Sequence, residues 1–85
     1  MMSNVPEWIQ TLKKGEFLVV VFPYTTDTVF AEVIENCPTS PDGMYFGTLT
    51  VNYVLHKSPR QDDLLYDDYS KNSEHQDNWY AYRVT

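Results

Sequence analysis

Six carboxylates fall within one polar stretch in the last third of the sequence: Asp62, Asp63, Asp67, Asp68, Glu74 and Asp77. Paired acids of this kind supply oxygens to a hard cation or present negative charge to a basic partner. The cation reading lacks the spacing of a calcium loop, with its central glycine and terminal glutamate. A solvated acidic segment is the reading that remains. His56 and His75 stand far apart in polar surroundings and read as solvated loop histidines. Cys37, between Asn36 and Pro38, has no basic neighbour to lower its pKa, so an inert and partly buried thiol is expected. There is no glycine-rich phosphate loop and no cysteine–histidine zinc spacing. The residue types therefore predict neither an enzyme nor a metal or cofactor site.

The charge balance points the same way. The 85 residues carry a formal charge of −6. Binding to a nucleic-acid backbone draws its affinity from lysine and arginine, so direct nucleic-acid binding is not expected. A basic protein surface or peptide is the natural partner. No apolar run is long enough to span a membrane, and the start MMSNVPEWIQ has neither the basic end nor the apolar centre of a signal peptide. The single cysteine excludes an internal disulfide framework. Cytoplasm or nucleus is the expected location.

The elements that must hold these residues are read from periodicity. Residues 3–12 predict a short helix, with Ser3 or Asn4 as cap, Pro6 in the first turn and a stripe of Trp8, Ile9 and Leu12. Gly15 reads as the residue that ends it. Residues 16–22 and 28–35 form a hairpin around Pro23-Tyr24-Thr25-Thr26-Asp27. In the first strand Leu18, Val20 and Phe22 share one face while Phe17, Val19 and Val21 share the other, so both faces are apolar. Residues 44–54 form a third strand in which Gly47 marks a bulge or bend. Residues 56–77 read as an acidic loop that serves partner contact more than stability, anchored by Leu64-Leu65-Tyr66 and Tyr69. Residues 78–84 close the domain. A single mainly β domain over residues 1–85 follows: a small SH3-like or Tudor-like antiparallel barrel with a short N-terminal helix. An open sheet crossed by the helix is the alternative.

One motif carries a resemblance. Phe22-Pro23-Tyr24-Thr25-Thr26, followed by Val29-Phe30, resembles the aromatic-Pro-x-Thr-Thr motif and aromatic pair of a known domain. That domain is the second Tudor of the tandem-Tudor, histone-reading subunit of the SAGA acetyltransferase complex. The similarity covers about residues 16–49, with Ala31, Ile34, Pro38, Pro41, Asp42 and Tyr45 in acceptable places. The resemblance implies a Tudor-like barrel and a trimethyl-lysine cage at Phe22, Phe30 and Leu49. Leu49 departs from the aromatic pattern, and Thr50 and Val51 replace acidic residues that follow it in the family.

Two functional readings result. In the first, the chain is a small acidic, non-enzymatic protein-binding module. It acts as an inhibitor or adaptor of the kind phage and viral genomes encode, meeting a basic surface through Asp62, Asp63, Asp67 and Asp68. In the second, it reads methylated lysine on a histone tail through an aromatic cage. Phe22, Tyr24, Phe30 and the Tyr80/Tyr82 face are the aromatic candidates, Tyr24 being the one with no reason to be buried.

Overall fold

The structure, a computed structural model, describes residues 5–39, 46–54 and 60–84. Ser3, Asn4, Pro41, Asp42, Met44, Tyr45 and His56 lie outside the described residues. Five strands, Phe17–Phe22 (β1), Asp27–Thr39 (β2), Phe46–Tyr53 (β3), Arg60–Leu65 (β4) and Tyr80–Arg83 (β5), form one antiparallel sheet. Its order is β4-β3-β2-β1-β5. One helical turn, Glu7–Gln10 (α1), and a 3-10 turn, Tyr66–Asp68, complete the described elements. The protein is therefore mainly β. The edge strands β4 and β5 do not pair, so the sheet is not closed into a barrel. Residues beside them meet at one bridge, between Tyr69 and Trp79.

One face of the sheet carries the core. Leu18 and Val20 of β1, Ala31 and Val33 of β2, Leu49, Val51 and Tyr53 of β3, and Leu64 of β4 are buried there. Ile9 of α1, Val5 just before it, Tyr66 and Trp79 pack against them. Burying each large apolar side chain contributes about 1.5–3 kcal/mol. The hairpin forms over the expected segments, with Val20 opposite Val29 and Leu18 opposite Ala31. Thr26 in its turn adopts φ 60°, left-handed backbone that threonine adopts only under constraint.

Four elements differ from the reading of the sequence, each for a physical reason. The helix is one turn rather than residues 3–12, and its N-cap is Pro6, which makes no side-chain cap bond. Gly15 does not end it; at φ +91° it forms the turn into β1. β2 runs on through Asn36-Cys37-Pro38 to Thr39, past the end expected at residue 35. β1 pairs with β2 only as far as Glu32, so beyond it one side of β2 is unpaired by strands and a proline is tolerated. The bulge lies on β2 between Val33 and Glu35, not at Gly47. Gly47 answers a different need: a Cβ there would occupy the space of the Cys37 carbonyl on the paired strand. Finally, the acidic segment is not all loop, since Arg60–Leu65 pairs with β3 along its whole length.

The β2 bulge has a second effect. Before it, Ala31 and Val33 face the core; after it, Asn36 does, opposite the buried Leu49. The Asn36 amide donates to the carbonyls of Ile9 (2.8 Å), Gln10 (3.3 Å) and Leu12 (3.0 Å). Its carbonyl accepts the Tyr66 hydroxyl at 2.5 Å. A four-residue helix cannot hold itself, and here a strand residue satisfies its orphan carbonyls. Among the described residues no helix is long and apolar enough to cross a membrane.

Candidate functional site

Phe22 ends β1 on the core face, its ring edge-on to Tyr53 at 6.4 Å. The Tyr53 hydroxyl donates to Asp62 Oδ2 at 2.8 Å, and the Asp63 amide donates to Asp62 Oδ1 at 2.9 Å. Across the strand pair, the Thr50 hydroxyl donates to Asp63 Oδ1 at 2.8 Å. These bonds set two carboxylates at the edge of β4. The chain then turns through Tyr66–Asp68 and returns by way of Trp79. The Trp79 amide donates to the Asp68 carbonyl (3.2 Å), the Ser70 amide to the Trp79 carbonyl (2.9 Å), and the indole N–H to the Leu65 carbonyl (2.8 Å). Trp79 is fully buried, with Tyr69 edge-on to it at 4.9 Å.

This closure shapes a pocket of about 240 Å³. Asp62, Asp68 and Asp77 line it with Phe22, Leu64 and Trp79 as apolar wall, while Asp63 borders it from β4 and turns its carboxylate to Thr50 on the opposite face of the sheet. No lysine or arginine lies among its lining residues. Burial pushes the Asp68 carboxyl above the usual carboxylate range, and the Asp77 charge pushes it the same way, with His75 opposing. His75 stands 3.8 Å from Asp77, an ion pair only when the ring is protonated. Burial and the bond to Asp62 raise the Tyr53 phenol. Among the described residues no three His, Cys, Asp or Glu side chains are grouped closely enough to hold a metal ion. The arrangement suits a cationic group carried on an aliphatic stem, which would be met by carboxylates and an aromatic edge.

The structure brings together Phe22, Asp62 and Asp68 of the residues expected from sequence, with Asp63 at the border. Asp67 is exposed on the 3-10 turn and does not line the pocket. Tyr24 projects from the hairpin turn, 56% exposed. Leu49 is fully buried in the core. Phe30 lies on the opposite face of the sheet, stacked on Phe17 at 5.3 Å. The register explains this. Phe30 pairs with Val19, and residues paired across an antiparallel ladder share a face, while Phe22 lies an odd number of residues from Val19. Phe22, Phe30 and Leu49 therefore do not converge. Asp62 and Asp63 accept hydrogen bonds within the sheet, so they contribute to structure as well as charge.

Sequence reasoning did not connect Phe22 to Asp77 or Trp79, because only the return of the chain through Tyr69 and Trp79 joins them. Nor did it find Asn36, whose inward orientation depends on the bulge. Cys37 is exposed rather than partly buried, since the same bulge turns it outward. Its thiol donates to Glu35 at 3.3 Å, and that bond raises its pKa, away from a nucleophilic thiolate. Comparison with protein-family models, with curated proteins and with solved structures returned no match.

Proposed function

We propose that the chain is a small acidic, non-enzymatic protein-binding module that seats a basic side chain of its partner in the pocket lined by Asp62, Asp68 and Asp77. The observation that carries this reading is that Asp62, Asp68 and Asp77 line one pocket with Phe22 and Trp79, with no lysine or arginine of the chain's own among the lining residues. The Asp77 charge holds the Asp68 carboxyl above its usual range, and a cation seated beside it would offset that repulsion. Such a module blocks or bridges a basic protein surface, as an inhibitor or adaptor does. The strand order supports a barrel-like, SH3-like architecture: β1 to β4 form a meander, and β5 returns to the free edge of β1 after the 3-10 turn. A sheet so connected needs only its two edge strands to meet in order to close.

The methyl-lysine reading shares Phe22 with this pocket, but Phe30 and Leu49 stand elsewhere. Calorimetric titration with three peptides identical except for one lysine, trimethyl-lysine or arginine separates the two. The expected result is binding by all three, without preference for the methylated form. It should weaken about tenfold in Asp68→Asn or Asp77→Asn, the loss of roughly 1.4 kcal/mol of charge interaction. Binding unchanged by either variant would refute the pocket. A clear preference for trimethyl-lysine would favour the reader instead.

A further inference from the structure

The face of the sheet opposite the core carries a three-by-three block of side chains on β5, β1 and β2. The register gives the rows Tyr80–Val21–Thr28 and Tyr82–Val19–Phe30 and the pair Phe17–Glu32, and Val84, the residue after β5, continues the alternation and lines one pocket with Phe17. Seven of the nine are apolar or aromatic. Tyr82 is 55% exposed, Val84 41% and Phe17 40%, and α1, the 3-10 turn and Trp79 all pack on the other side. The block has charge only at two diagonally opposite corners. Lys71 sits over the Tyr80 ring at 5.7 Å, and Glu32 occupies the far corner. Among the described residues neither takes part in an ion pair.

We infer that this face docks on a second copy of the chain. A two-fold axis lying in the interface along the Val84–Val19–Thr28 diagonal makes the block self-complementary. It sets Lys71 of each copy against Glu32 of the other, Tyr82 against Phe17, and Val21 against Phe30. The strands of the two sheets then cross steeply, one of the two standard ways in which sheets pack. The apolar centre supplies the attraction, and the two symmetry-related Lys71–Glu32 pairs fix the register. The pocket on the core side stays open in both copies.

Sedimentation equilibrium across a concentration series tests this on the whole chain. The expected result is a monomer–dimer equilibrium. Tyr82→Asp should shift it to monomer, and Lys71→Glu and Glu32→Lys should each weaken the dimer about tenfold, by placing like charges together twice. The double variant Lys71→Glu/Glu32→Lys should restore it. Circular dichroism checks that each variant is folded; if Tyr82→Asp is not, the exposed charge variants decide. A monomer at every concentration overturns the proposal and leaves the face to a different protein. A dimer indifferent to the charge reversals, or one not rescued by the double variant, also overturns it.

Discussion

Asn36 supplies the helix with what its own sequence lacks. Thr11 and Leu12 offer no C-terminal cap of the left-handed kind, and the helix is too short to propagate. One side-chain amide from β2 serves three carbonyls there, and the same side chain accepts a hydrogen bond from the Tyr66 hydroxyl. Replacing Asn36 with Ala removes that partner from the Gln10 and Leu12 carbonyls and the Tyr66 hydroxyl, while the Ile9 carbonyl keeps the Leu12 amide. The expected loss is about 2–4 kcal/mol, read as a lower denaturation midpoint in urea. Asn36→Asp should be no better, because a carboxylate cannot donate and would face three carbonyl oxygens. Burial also raises the Tyr66 phenol to about 12, in keeping with a hydroxyl held inside the protein.

Asp68 makes a pH prediction with a definite sign. Its folded-state pKa lies above the ordinary 3.8, so the folded chain holds more proton than the unfolded one between the two values. Stability from this group is full below the ordinary value and declines as pH rises through the folded one. Asp68→Asn should therefore flatten that decline and give a slightly higher Tm at neutral pH, measured by thermal melts across the acid range. A melt lower than the parent at neutral pH would show that the Asp68 carboxylate is structurally required.

At the level of elements, legibility tracks how much of the information is local. The β1–β2 hairpin was readable because alternation and turn chemistry agree, and both lie within the segment. The two apolar faces of β1 also agree with its interior place in the sheet, paired on both edges. Val20→Asp should accordingly unfold the protein, since a buried unpaired charge costs several kcal/mol; a near-parental melt would be the contrary result. β4 was not readable. In Arg60-Gln61-Asp62-Asp63-Leu64-Leu65 only Leu64 reaches the core, and its extended state is imposed by pairing with β3. Polar strands at an edge resist unwanted pairing, and that protective chemistry looks like loop in a sequence. The bulge hid the rest, because one extra residue reverses which side chains face inward and so concealed Asn36 and Cys37. Gly47→Ala should cost at least about 2 kcal/mol in chemical denaturation, because β2 and β3 would have to part at Cys37.

Across the whole molecule, charge is spread over both faces while the pocket concentrates it. Long-range steering and short-range capture are therefore separable. Asp67, exposed and outside the pocket, should act on encounter. Asp67→Asn is expected to slow association with a basic peptide and leave dissociation nearly unchanged, whereas Asp77→Asn should mainly speed dissociation. Stopped-flow or surface-binding kinetics distinguish the two. The predicted barrel was legible only as a mainly β fold, since closure depends on where two distant edges come to rest and no local pattern encodes that.

The position of β5 has a consequence for how the chain is made. β1 through β4 pair with neighbours in sequence, but β5 pairs Arg83 with Leu18 and Tyr80 with Val21. On a ribosome, Phe17-Leu18-Val19-Val20-Val21-Phe22 emerges before the other described strands and is joined by its second partner only after they have followed. Through that interval an uncharged, proline-free strand has one bare edge, the kind of template that recruits other chains. The acidic residues translated between them keep the nascent protein negatively charged while it waits, so its carboxylates act as a solubilising escort before they act as a binding site.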